Sequence, residues 1–194
     1  MKRIIRLTES DLHRIVNKIL NEQNDDYSTF YNVFIGYVNE MILELQNDYL
    51  SQLGLKISLD FNYAFKNKRW FAAYEGTKNM IGDGVILIAL NVPYLYKCMK
   101  EKGIDKDEFN IEAQARITVG HEIGHGIVDY LLNWYDGEND LVDGLIHDYY
   151  DGELDEEELV EEFGRCLFPE ATRVWSSELM GIVADIIEHP QGQS

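Results

Sequence analysis

NIEAQARITVGHEIGHGIVDYLLNW, residues 110–134, reads as one long helix. Its apolar residues, Ile111, Ala115, Ile117, Val119, Ile127, Val128, Leu131 and Leu132, are spread round more than one face. That pattern predicts a helix largely buried among other elements, because a surface helix keeps its apolar residues on a single stripe. Upstream, three segments are rich in β-branched and aromatic residues: 56–65 (KISLDFNYAF), 69–74 (RWFAAY) and 84–91 (GVILIALN). Turn formers separate them at 66–68 and 76–84, which predicts a small sheet of about three strands. Pro93 suits the first turn of a short helix through Lys100, closed by Gly103.

Helices are predicted on both flanks. From Ser28, the residues Phe30, Val33, Phe34, Tyr37, Val38, Met41, Ile42, Leu45 and Tyr49 recur at three and four, predicting a long helix that ends near Gly54. Past Trp134, residues 136–162 hold 13 Asp/Glu and no Lys or Arg, a pattern expected of a solvated acidic stretch. Asp155 can cap a helix with Glu158 at the box position, and Leu159, Val160, Phe163, Cys166 and Leu167 supply its core side. Pro169 stops it. A last amphipathic helix starts at Ser176 or Ser177 and runs through Ile187. The expected class is α+β, mostly helical, with the 110–134 helix at the centre.

The first 22 residues differ from the rest. Lys2, Arg3, Arg6, Arg14 and Lys18 outnumber Glu9, Asp11 and Glu22, in a chain of 17 Lys+Arg, 35 Asp+Glu and net charge −18. Leu12, Ile15, Val16, Ile19 and Leu20 form one apolar stripe, and polar residues 21–26 follow. This predicts a basic amphipathic helix, residues 1–22, on a joint, with the main domain at 27–194. The acidic balance argues against nucleic acid and against anionic membranes as partners. The longest apolar run, Val85 to Leu90, is far too short to span a bilayer. No signal peptide is visible, and two cysteines, Cys98 and Cys166, fit reduced thiols, so the expected compartment is the cytoplasm or a particle assembled there.

Inside the central helix stands His121-Glu122-Ile123-Gly124-His125, an H-E-x-x-H arrangement. Residues four apart project from one helical face, so two imidazoles can hold one zinc ion. Glu122 sits one step round and can reach a water beside that ion, as a general base. A chain of this composition shows the arrangement by chance roughly once in a hundred. Catalytic zinc needs a third protein ligand. A further His ten residues after the first is absent, since Leu131 holds that position. His147 and Asp148 are candidates from the acidic stretch. The helix from Asp155 is the better source, with Glu156, Glu157, Glu158, Glu161 and Glu162. Glu157 is favoured because it shares a face with Val160 and Gly164, and a mid-helix glycine is explained by close approach to a partner helix. Tyr149, Tyr150 and His147 are candidates for a further hydrogen bond to the reacting carbonyl.

Residues 116–125, RITVGHEIGH, resemble the active-site helix of gluzincin metallopeptidases, especially the ImmA/IrrE-like group. Residues 157–164, EELVEEFG, resemble that group's second motif, with Val160 where the motif has a smaller residue and Glu161 where it has Asp or Asn. The resemblance covers roughly residues 84–169. It implies a zincin-like domain with zinc (Zn2+) on His121, His125 and Glu157, Glu122 as the catalytic base, and a peptide or protein as substrate. It also implies that strand 85–91 lies at a sheet edge lining the substrate cleft. Separately, RLTESDLHRIVNKIL resembles short N-terminal helices on proteins of tailed bacteriophages, and Leu20-Asn21-Glu22 matches the hydrophobic-x-Glu site cut by head-maturation proteases. That second resemblance implies a removable segment and a phage head or other virion component as partner of residues 1–22. Two functions are therefore expected. One is a zinc-dependent metallopeptidase. The alternative is a phage structural or internal-head protein that uses a zincin scaffold for binding. Glu122 and an open fourth coordination position separate the two.

Overall fold

The computed structural model describes residues 9–63, 69–80, 83–168 and 177–189, with side chains from residue 26 onward except 77–83. Its sheet has three strands: β1 (Leu55–Asp60), β2 (Ala72–Met80) and β3 (Asp83–Leu90). β3 is the middle strand, parallel to β1 and antiparallel to β2. Being paired on both sides and packed on one face, it is the most apolar, and Ile86, Ile88, Ala89 and Leu90 are buried. The expectation that this strand forms the sheet edge is therefore corrected: its backbone donors and acceptors are used by two neighbours, and β2 is the edge strand beside the central helix.

Around the sheet lie α1 (Glu9–Leu45), α2 (Val92–Glu101), α3 (Glu108–Asn133), α4 (Asp140–Asp151), α5 (Glu156–Cys166) and α6 (Glu178–Glu188). The architecture is α+β and mostly helical. α3 begins two residues earlier than its apolar pattern suggests, because the Asp107 carboxylate accepts from the amides of Phe109 and Asn110 and caps the first turn. Ile111, Ala115, Val119, Ile123, Ile127 and Leu131 are buried on it, together with three glycines that let neighbours close in. A Cβ on Gly126 would collide with the Ile86 side chain of β3. On the other side, a Cβ on Gly124 would lie 3.0 Å from Val160 Cβ of α5. The central helix is thus held between sheet and α5 at distances that larger residues would not allow.

α1 closes the third side. Arg116 of α3 is almost fully buried, yet its guanidinium is satisfied: it donates to Glu112 at 2.9 Å and to Glu44 of α1 at 2.8 Å, and Glu40 lies 3.8 Å away. Glu40 and Glu44 themselves face solvent, so the cluster fixes the angle between α1 and α3 without enclosing all its charges.

Several boundaries differ from the sequence expectations. α1 runs through residues 21–26 without a break, where a joint was expected, and passes through a π-helical turn, Gln46–Leu50, before Gly54 at φ 67° ends the segment. The described side-chain contacts of α1 with the body begin at Asp26, 3.0 Å from Lys106, and at Tyr27, whose ring meets Tyr96 at 5.2 Å. Residues 1–8, and the side chains before 26, lie outside the described residues, as does the rest of the expected separable segment's packing. β1 stops at Asp60, whose carboxylate accepts from the Asn62 amide in a local turn, and not at Phe65. The glycine-rich stretch from 76 was expected to be a turn. Instead, Gly76 at φ 125° lies at an irregularity of the ladder, and β2 stays paired with β3 as far as Met80 opposite Asp83. The acidic stretch folds into α4, capped by Asn139, with Val142 and Leu145 buried and Asp140, Asp143, Asp148 and Asp151 left in solvent. Among the described residues, no helix is long and apolar enough to cross a membrane.

Candidate metal centre

His121 and His125 project from one face of α3, and Glu157 reaches the same point from the first turn of α5. The two Nε2 atoms are 3.2 Å apart. Glu157 places Oε2 at 3.5 Å from His121 Nε2 and Oε1 at 3.6 Å from His125 Nε2. Acceptor-type atoms of three side chains brought this close repel one another unless a cation or a proton lies among them. Tetrahedral zinc, with bonds near 2.05 Å, needs ligand atoms about 3.3 Å apart. The donor set, two imidazoles and one carboxylate, suits that ion, and one ligand atom from each of the three residues lies within 4.8 Å of the others.

The face of α5 that makes this possible is the one carrying Glu157, Val160 and Gly164. A Cβ on Gly164 would stand 2.6 Å from the Ile117 carbonyl oxygen and 2.8 Å from the His121 amide nitrogen. The mid-helix glycine is therefore where α5 touches the backbone of α3 at the first histidine. Gly120 answers it from α3, where a Cβ would meet Leu167 at 2.8 Å and Gly164 Cα at 3.1 Å. This contact sets the height of α5 on α3, and with it the reach of Glu157.

Glu122 points to the other wall. The Tyr74 amide of β2 donates to Glu122 Oε2 at 2.6 Å, so the carboxylate is not aimed at the point where the three acceptor atoms converge but lies beside it. Burial pushes the Glu122 carboxyl above its usual range; the Tyr74 amide and both imidazoles pull it back down, and Glu157 adds to the rise. Tyr74 does more than hold Glu122. Its hydroxyl donates to Asp129, one helical turn beyond His125, and its ring lies nearly parallel to the His125 ring, 16° between planes and 6.4 Å between centroids. A cleft of about 530 Å³ opens over these groups. Its walls are residues 69–74 on one side, and Thr118, His121, Glu122, His125 and Glu157 on the other.

All four residues expected to form the centre, His121, Glu122, His125 and Glu157, meet at this cleft. The other candidates do not. His147 pairs with Asp148 at 3.4 Å and Asp151 at 3.3 Å on the solvent face of α4. Tyr149 and Tyr150 are exposed and pack edge to face on each other, and none of the three lines the cleft. Glu161 pairs with Arg165, and Glu158 is exposed. Sequence reasoning missed Tyr74 and Asp129, and offered Glu156 as a candidate third ligand, whereas the structure places it at His125 Nδ1, 2.6 Å away. Asp129 had a signal, since it stands four residues after His125 on the same face. Tyr74 had none, because its contacts are 48 and 55 residues away. Comparison with known protein families, with curated proteins and with solved structures finds no match for this chain.

Proposed function

We propose that this protein is a zinc-dependent metallopeptidase of the gluzincin type, with His121, His125 and Glu157 as metal ligands and Glu122 as general base. The observation that carries this reading is the convergence of His121, His125 and Glu157, with the two Nε2 atoms 3.2 Å apart and one Glu157 oxygen 3.5 Å from the first and the other 3.6 Å from the second, at a cleft where a second carboxylate, Glu122, stands by without joining them. A purely structural zinc site is closed by four protein ligands. Here three residues supply ligand atoms, and they line an open cleft of about 530 Å³. Zinc held by His121, His125 and Glu157 would supply a Lewis acid for activating water and polarising a carbonyl.

The chain's own residues do the rest. Glu122 takes the proton of the attacking water as its oxygen bonds to the carbonyl carbon. It gives that proton to the amine nitrogen as the C–N bond breaks. The Tyr74 amide holds one Glu122 oxygen and leaves the other to face the cleft. The edge strand β2 lines the cleft along residues 72–74, with the Tyr74 amide already held by Glu122, and an extended peptide can lie along this wall. Trp70, half exposed at the cleft, adds an apolar surface for a side chain.

The reading is tested with the purified full chain and an unstructured protein or mixed peptide library. Cleavage is expected, it stops on removal of metal with a chelator, and stoichiometric zinc restores it. Cleavage that continues undiminished in chelator, or no cleavage of any library member by the zinc-loaded chain, contradicts the reading.

A further inference from the structure

We propose that Glu156, adjacent to the ligand Glu157, is the positioning residue of the centre: it fixes the tautomer and ring orientation of His125. The proposal rests on the metal-centre reading above. Glu156 Oε1 lies 2.6 Å from His125 Nδ1, the shortest contact that the described residues make with either histidine. A carboxylate only accepts, so the neutral imidazole that makes this contact carries its proton on Nδ1 and keeps the Nε2 lone pair for a metal. That lone pair is the one 3.2 Å from His121 Nε2 and 3.6 Å from Glu157. An imidazole without such a partner divides itself between two tautomers and two ring orientations, and only part of that population is ready to bind a metal.

The helix makes the arrangement possible. Adjacent residues on a helix point about 100° apart. Glu156 and Glu157 open the first turn of α5, which is anchored by the Asp155 carboxylate accepting from the Glu158 amide. The two carboxylates therefore straddle one ring, Glu156 at Nδ1 and Glu157 towards Nε2. Their surroundings differ accordingly: the Glu156 side chain is 32% exposed and that of Glu157 is 75% exposed. No other glutamate of α5 competes for the role. Glu161 pairs with Arg165 on the outer face, and Glu158 is exposed. The Tyr74 ring lies nearly parallel to the His125 ring, 6.4 Å between centroids. Charge on Glu156 also raises the basicity of Nε2 through the ring, which strengthens its bond to a metal.

The experiment measures zinc affinity of the full chain by competition with a chromophoric chelator, for the unaltered protein and for Glu156→Ala, Glu156→Gln, Glu161→Ala and His121→Ala. Glu156→Ala is expected to weaken zinc about 10–100-fold, Glu156→Gln less, and Glu161→Ala not at all. A second readout is the histidine ¹⁵N spectrum of the zinc-loaded chain. His125 should show a protonated, exchange-protected Nδ1 that is lost in Glu156→Ala and kept in Glu161→Ala, a signature that helix stability alone does not move. If Glu156→Ala destabilises α5, the near-isosteric Glu156→Gln carries the comparison. Tight zinc binding by the unaltered chain, with affinity and Nδ1 signal unchanged in both Glu156 variants, overturns the positioning role alone. No zinc binding by the unaltered chain, or full binding by His121→Ala, overturns the metal centre and the positioning role with it.

Discussion

Glu122→Gln should leave zinc in place and lower peptide hydrolysis by about 10²–10⁴-fold. The substitution keeps the shape of the side chain, and its amide oxygen can still accept from the Tyr74 N–H that now meets Glu122 Oε2 at 2.6 Å. The wall of the cleft therefore stays as it is. What is lost is the ability to take a proton from water and return it to the departing amine. Because Glu122 is not among the three converging atoms, the metal content should not change. The loss should appear in kcat and not in KM, as for an interaction made only in the transition state. Activity that survives would remove Glu122 from the base role. Loss of zinc with the activity would show that Glu122 holds the centre together instead.

The second large effect is predicted away from the chemistry. Gly164→Ala adds one methyl, which on propensity alone favours a helix by about 1 kcal/mol. At this position the methyl would sit 2.6 Å from the Ile117 oxygen and 2.8 Å from the His121 nitrogen, both backbone atoms. Neither can rotate away, so α5 must move off α3. Overpacking of this kind costs about 1–3 kcal/mol, or roughly 2–4 °C in melting temperature for each kcal/mol in a chain of this size. Moving α5 also carries Glu157 away from the histidines, so zinc affinity should fall with the melting temperature. Gly144→Ala in α4 is the control. No atom lies within 4 Å of its added Cβ, and there the same change should hold or raise the melting temperature. If both variants behave alike, the contact between α3 and α5 is looser than described.

These two sites also mark what the sequence made legible. The residues that meet at the cleft were readable where they stand close along the chain. His121 and His125 are four apart, and Glu157, Val160 and Gly164 share a face of a helix whose cap, Asp155, was visible as a residue type. Gly164 stood out because a glycine in mid-helix asks for a steric reason, and the Ile117 and His121 backbone is that reason. The class of fold was readable too, since α3 carries apolar residues all round and β3 is a short, nearly continuous apolar run. What was not readable depends on which element lies beside which. β3 was expected at the sheet edge. It became the middle strand because β1 crosses over to pair with it in parallel, and no local pattern records a crossover. The 76–84 stretch looked like a turn because it is rich in glycine, yet Gly76 serves an irregular ladder inside β2. The acidic stretch hid α4 because its charges outnumber Val142 and Leu145, the two residues that bury it. Tyr74 escaped for the same reason, and so did the contact of Glu156 with His125: each partner lies dozens of residues away, and no spacing rule records it.

The most direct test of the account is a count of metal. Native mass spectrometry of the full chain, purified and exchanged into metal-free buffer after loading, should give a mass shift of about one zinc per chain, since the proposed centre is a single three-ligand site. The same measurement on His121→Ala and on Glu157→Ala should give the mass of the bare chain or a much reduced zinc fraction. A bare mass for the unaltered chain at saturating zinc, or a full zinc complement in both variants, would contradict the assignment of His121, His125 and Glu157 as a metal centre.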